Sequence, residues 1–319
     1  MGRTNNELNY FLKDTRVFAD MVNLAVYSGK KVVLADDLED NESVQYLPDH
    51  HGQLKERRND VCKRCRSGTS YRLFCLENEN KINYIMPVRV MEYEAGQYRE
   101  QIRKTGNLHT KKDYKNWNEL SSGFTKTDRL YPIITLVLYW QREPWDGPKN
   151  LAEMLDLTDE EKTQLTPFLQ DYKLNLVNMY ELNGADTCES QLKYVLKILQ
   201  LDKSKQLLYQ ELAENPEYQR LSPETGKVIG ILLGDNKIHE LAEIQQQKGE
   251  VFNMCQALDD LRAEGRNEGR NEGIAIGKTE GKRTIILNML RHHMSDADIC
   301  ILTECSPELL EEIRKEQGL

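Results

Sequence analysis

No stretch of about 18 consecutive apolar residues occurs in the sequence, which argues against a helix built to span a membrane. The start, "MGRTNNELNY", lacks the apolar segment of a secretory signal, so the expectation is a cytoplasmic protein with no membrane partner. There is no Gly-rich phosphate loop after a strand-like run and no GxSxG, which disfavours P-loop nucleotide hydrolases and serine esterases. The seven cysteines are odd in number and irregularly spaced, a pattern that fits a reducing compartment better than a disulfide framework. Cys62 and Cys65 form a lone CxxC, and no second pair follows at a spacing that would complete four zinc ligands. Net basic charge is missing as well: 43 Lys and Arg face 52 Asp and Glu, giving −9, which weighs against broad contact with a phosphate backbone. One local exception is the strip 55–66, "KERRNDVCKRCR".

The 319 residues suffice for a sizeable core. "DTRVFADMVNLAVYSGKK" predicts a helix with Asp14 as N-cap and Gly29 as its stop. Phe18, Met21, Val22 and Ala25 fall on its core-facing stripe, and Asp20 lies off it. Two strand-like runs flank "SGTS", a turn. A helix is expected from Pro87, with Met91, Ala95, Tyr98 and Ile102 on one side, and "YPIITLVLYW" predicts a fully buried strand over 131–140.

The order of elements predicts an α/β core over residues 1–150, a helical extension over 151–262 and a small helical module over 283–319. Between them, over 263–282, glycine recurs every fourth residue from Gly265 to Gly281. This segment is read either as a flexible connector or as a helix whose glycine stripe, drifting by about 40° per repeat, admits a second helix and so a homo-oligomer. Ser295 followed by Asp298, and Ser306 before Pro307, mark two further helix starts.

The chemistry centres on "YRLFCLENEN", 71–80, a hydrophobic strand that ends with Glu77 and Glu79 on one face. If 58–66 and 71–79 form a hairpin turning at Gly68 and Thr69, Asp60 lies opposite Glu77 and Cys62 opposite Cys75, with Cβ atoms about 5 Å apart. Three acids on one face repel unless a cation compensates them, and Mg²⁺ or Mn²⁺, hard ions that prefer oxygen, would suit. Arg57, Arg58, Lys63 and Arg64 are then placed to hold flanking phosphates. The alternative is a different register, with the acids solvated at an exposed strand end.

Taken together, "VFADMVN", "ERRNDVCK", "LFCLENENKINYIMPVRVMEYEAGQYREQ", "YPIITLVLYW" and "PWDGPKNL" resemble the Rpn-like family of recombination-promoting nucleases and transposase-related proteins, a branch of the PD-(D/E)XK nuclease superfamily. The similarity runs in order from about residue 17 to 151 and resumes in "DYKLNL", "NMCQALDDL" and the glycine-repeat tail. The resemblance implies a restriction-endonuclease-like core, a mixed sheet flanked by helices. It also implies Mg²⁺- or Mn²⁺-dependent cleavage of DNA in a mobile-element or recombination context. Asp60 matches the family's first metal-binding aspartate, Glu77 its second acid, and Asp20 an acidic position on the first helix. Arg57, Lys55 and Arg89 are phosphate neighbours in this reading. Where the superfamily carries Lys, or this family often Gln, two residues after the second acid, this chain carries Glu79, with Lys81 two residues farther on. Glu79 would serve as third ligand or general base, or it marks a nuclease fold that has lost activity and persists as a DNA-binding or oligomeric scaffold.

Overall fold

The computed structural model describes residues 3–41, 45–48, 54–57, 60–201 and 204–317. Its elements in chain order are α1 (Arg3–Lys13), α2 (Thr15–Tyr27), β1 (Leu38–Asp40), β2 (Gln45–Pro48), β3 (Leu54–Arg57), β4 (Val61–Ser67) and β5 (Ser70–Glu79). They continue with α3 (Met86–Leu108), α4 (Trp117–Ser122), β6 (Ile133–Tyr139), α5 (Asp159–Leu165), β7 (Asn175–Asn178), α6 (Leu192–Leu201) and α7 (Lys205–Glu214). The last are α8 (Pro223–Leu233), α9 (Asn236–Lys248), α10 (Met254–Arg291), α11 (Asp296–Thr303) and α12 (Pro307–Gln317). None of these helices is long and apolar enough to cross a membrane.

Local chemistry accounts for the early elements. Asp14 caps α2 by accepting from the backbone N–H groups of Arg16 and Val17 at 2.8 and 3.1 Å, and Phe18, Met21 and Val22 are buried as their spacing predicts. Gly68, at φ +62°, supplies the left-handed conformation that the β4–β5 turn requires. The hairpin takes the expected register: Cys62 pairs with Cys75, and Val61 with Leu76.

β5 then becomes the middle of a five-stranded mixed sheet, β1-β4-β5-β6-β7, antiparallel on the β4 side and parallel on the β6 side. The fold is thus α/β with a mixed sheet and helices. β6, all β-branched or apolar up to its last residue, lies between two parallel neighbours and is buried along most of its length. α3 provides the crossover from β5 to β6 and covers one face through Met86 and Val90, which meet Val137, Tyr139 and Trp145. Trp145 braces the following turn, donating to the Pro148 carbonyl at 3.4 Å.

Three expectations change. The buried side of α3 carries Met86, Val90, Tyr93, Gln97 and Gln101, whereas Ile102 is 40% exposed. Polar residues hold that face because their amides find partners: Gln101 exchanges two hydrogen bonds with the Tyr131 backbone just before β6, at 3.0 and 3.2 Å, and Gln97 accepts from Asn41 Nδ2 at 3.4 Å. The core also does not close near residue 150. β7 adds a further strand from 175–178, and the chain divides instead into compact units Met1–Cys255 and Gln256–Leu319. Finally, Cys62 and Cys75 are joined in a disulfide rather than lying side by side as free thiols, since a directly opposed cross-strand pair brings the sulfurs within bonding reach.

Within the first unit, α8 and α9 form a tight hairpin in which Gly230 lies so close to α9 that an added Cβ would stand 2.6 Å from the His239 backbone nitrogen. In the second unit the glycine repeat is part of the continuous helix α10. Ile286 and Leu290 of α10 join Ile299, Leu310 and Ile313 of α11 and α12 in a small core of their own. Ser295 caps α11 as expected, accepting from Asp298 N–H at 3.2 Å.

Candidate functional site

Strand alternation on β5 sends Glu77 and Glu79 to the face that α3 covers and Asn78 to the other. Both glutamates sit at the carboxyl end of β5, paired in parallel register with Val137 and Tyr139 of β6. The carboxyl ends of parallel strands are where open α/β sheets commonly bind ligands.

Arg89, in the first turns of α3, reaches across both carboxylates. Its Nη1 donates to Glu79 Oε1 at 2.8 Å and its Nη2 to Glu77 Oε2 at 3.1 Å. Its Nε donates to the Tyr93 hydroxyl, one helical turn on, at 2.9 Å. Glu77 is fully buried, Glu79 is 13% exposed and Arg89 22%. Burial works against the guanidinium charge, yet Glu77, Tyr93 and Glu79 together hold Arg89 above its ordinary range. Burial pushes Glu79 up from the usual carboxylate range; Arg89 pulls it down, and the nearby charge of Asp60 pushes it up again.

Asp60 stands just before β4 and turns toward the Asn78 side of the sheet. Its Oδ2 accepts from the Asn78 backbone N–H at 2.8 Å and its Oδ1 from Asn9 Nδ2 of α1 at 3.2 Å. Burial again raises its pKa, against the lowering effect of those two donors and of Arg89. Behind it lies an amide network: Asn78 donates to Asn9 Oδ1 at 2.6 Å, Trp140 Nε1 donates to Asn78 Oδ1 at 2.8 Å, and Asn5 reaches the Asn78 carbonyl at 3.3 Å.

The structure therefore gathers Asp60, Glu77, Glu79 and Arg89, and separates others. Asp20 is engaged elsewhere, accepting from the backbone N–H groups of Glu189 and Ser190 at 2.9 and 2.6 Å ahead of α6. Lys81 is exposed, past the end of β5. The backbone of Lys55 and Arg57 forms β3, with their side chains outside the described residues, as is Arg58. Lys63 and Arg64 do not form an open phosphate clamp: Lys63 is 2% exposed and bound to Asp40, and Arg64 is bound to Glu39, both across the β1–β4 pairing. Tyr93, Asn9 and Asn78 are the positions that sequence reasoning passed over. Tyr93 was detectable as the i+4 neighbour of Arg89, and Asn78 as the residue between the two glutamates.

The chain matches no protein-family profile, no curated protein and no solved structure. Function has to be read from the site itself.

Two carboxylates, Glu77 and Glu79, meet a single guanidinium, and Asp60 lies near enough for its charge to act on Glu79; such hard oxygen donors are of the type that Mg²⁺ or Mn²⁺ prefers. As arranged, however, no group of three His, Cys, Asp or Glu among the described residues could hold a metal ion. Asp60 faces its amide donors, and Arg89 occupies the glutamates. Two surface clefts, of about 450 and 700 Å³, are lined by none of these carboxylates.

Proposed function

We propose that this chain is a Mg²⁺- or Mn²⁺-dependent DNA endonuclease with a PD-(D/E)XK core, related to the Rpn-like recombination-promoting nucleases. The observation that supports this reading best is the cluster itself: Asp60 and Glu79, both raised by burial, and fully buried Glu77, at the carboxyl end of the central strand. Carboxyls raised by burial and gathered at such a place are candidates for a functional role.

In this reading Asp60 and Glu77 would hold the metal, which would supply an acidified water and neutralise charge on the phosphodiester. Glu79, the most water-accessible of the two glutamates, accepts the proton of the attacking water, a task favoured by its raised pKa. Arg89, once free of the glutamates, binds a non-bridging phosphate oxygen, for which a planar guanidinium is well shaped. DNA then approaches the exposed side of this cluster, with Lys81 in reach of its backbone, and a homo-oligomer forms through the C-terminal helices.

A second reading has its own support. Arg89 already satisfies both glutamates, as an inactive fold retained as a DNA-binding or oligomeric scaffold would require. Nicking of supercoiled plasmid in Mg²⁺ or Mn²⁺ separates the two. The nuclease cleaves, and Asp60→Ala and Glu77→Ala abolish cleavage; a folded wild type that cleaves in neither metal leaves the scaffold.

A further inference from the structure

We propose that the Cys62–Cys75 disulfide is a redox switch: a small thiol of the glutathione type opens it in the folded protein, and its opening loosens the hold on Asp60. The inference stands apart from the nuclease reading and requires no metal.

The fold is not built around this bond. It is one disulfide beside five free thiols, in a compact unit, Met1–Cys255, large enough to hold a core without a staple. Its position gives it a task. Gly68 turns one end of the β4–β5 hairpin, and Cys62, the second residue of β4, clamps the other. The Cys62 carbonyl is turned away from β5, accepting from the Asn41 N–H at 3.0 Å, so Cys62 and Cys75 exchange no backbone hydrogen bonds and the sulfurs take over that part of the ladder. Asp60 lies just beyond this clamp, with its Oδ2 on the Asn78 backbone N–H at 2.8 Å. Without the sulfur bond, the Val61–Leu76 pair is the last rung of the ladder before Asp60, and the end of the hairpin frays more easily. The two sulfurs are also unequal. Cys62 is partly exposed and Cys75 fully buried, so an incoming thiolate reaches Cys62. Attack there breaks the S–S bond, forms a mixed disulfide on Cys62 and expels Cys75 as a thiolate, which takes a proton; a second thiol then frees Cys62 and departs in the oxidised dimer. In register with Cys75 on β6 stands Thr135, 1% exposed, whose hydroxyl has no hydrogen-bond partner. A disulfide sulfur has no proton to give that hydroxyl, and a Cys75 thiol has. Reduction takes a cross-link from the fold, and this contact offsets part of the loss.

The test is a redox titration of the full-length protein. Samples are equilibrated in buffers of graded reduced and oxidised glutathione, quenched in acid and alkylated, and the peptides that carry Cys62 and Cys75 are weighed. Both cysteines are expected to pass together from disulfide to thiol while circular dichroism reports a folded chain. Thr135→Val, which keeps the shape and deletes the hydroxyl, is expected to need a mixture about fivefold more reducing at the midpoint, the worth of one neutral hydrogen bond. A second readout follows Asp60: exchange of the Asn78 amide hydrogen is expected to quicken at least about tenfold more on reduction than exchange of the Met179 amide beyond β7, which donates to Tyr139 at the far side of the sheet. Thiols that appear only when urea unfolds the chain, or that stay free in the most oxidising buffer, overturn the switch. So does a Thr135→Val midpoint equal to the wild type's, or equal quickening at Asn78 and Met179. None of these outcomes bears on plasmid nicking, which is measured separately.

Discussion

Replacing Arg89 by methionine tests how the site is held together. The substitution keeps an extended apolar stem and deletes the charge, leaving Glu77 fully buried without its cation and Glu79 13% exposed beside Asp60. Removing one partner of a buried ion pair costs about 3–5 kcal/mol. Arg89 is itself 22% exposed and Glu79 keeps some contact with water, so a loss of about 3 kcal/mol is expected, at the lower end of that range. For a compact unit of this size that lowers Tm by roughly 6–12 °C. The loss also has a definite pH dependence. In the wild type Glu79 is raised by burial first, with Asp60 adding to the rise and Arg89 opposing it. A carboxyl whose folded pKa lies above its unfolded value stabilises the fold below the unfolded pKa, and that contribution is lost as pH rises through the folded pKa. Deleting Arg89 lifts the folded value further and extends the loss upward in pH. The variant should therefore trail the wild type most at about pH 8 and recover part of the difference toward pH 5. Urea unfolding followed by circular dichroism at the two pH values measures this. A difference below about 1 kcal/mol, the size of an ordinary surface pair, or one that does not change with pH, would refute the reasoning.

Gly230→Ala places a methyl group 2.6 Å from the His239 backbone nitrogen; overpacking of this kind costs about 1–3 kcal/mol, read as a lower midpoint in urea. The Cys62–Cys75 disulfide closes a loop of 13 residues' separation, so a reductant should lower stability by about 3 kcal/mol, and the Cys62→Ala, Cys75→Ala double variant should unfold at the same temperature with or without it. Asp20→Ala removes the acceptor from the Glu189 and Ser190 N–H groups, and a thermal melt should register a loss of about 1–3 kcal/mol.

Much of the fold was legible because it is written in short-range chemistry. The Asp14 cap, the α2 stripe, the register of β4 with β5 and the buried β6 all depend on neighbours in sequence or on a tight turn. The face of α3 was misplaced because Gln97 and Gln101 look solvent-seeking until the Asn41 amide and the Tyr131 backbone ahead of β6 are brought to them by the fold. β7 was missed for a similar reason: "NLVN" is too short to signal a strand, and β6 makes it one. At the site, the face shared by Glu77 and Glu79 followed from alternation alone. That Asp60 turns to Asn9 and Asn78 did not, since it depends on α1 arriving from 51 residues away in sequence. The basic strip misled most. Lys63 and Arg64 gather charge in sequence, yet their side chains are spent on Asp40 and Glu39 of the neighbouring strand.

The position of β5 between an antiparallel and a parallel neighbour also sets an order of events in folding. Pairing with β4 requires closing only the two residues Gly68 and Thr69, whereas pairing with β6 must wait until residues 80–132 have been laid out, and β7 comes later still. Closure entropy grows with the length enclosed, so the hairpin is the natural nucleus and the parallel half of the sheet the slow step. Substitutions at Leu73 or Leu76 are then expected to slow refolding, and those at Val137 chiefly to speed unfolding, a division that kinetic chevrons would reverse if β6 came first. The chain would consequently assemble the strand that bears Glu77 and Glu79 before it makes the parallel pairing that completes their surroundings.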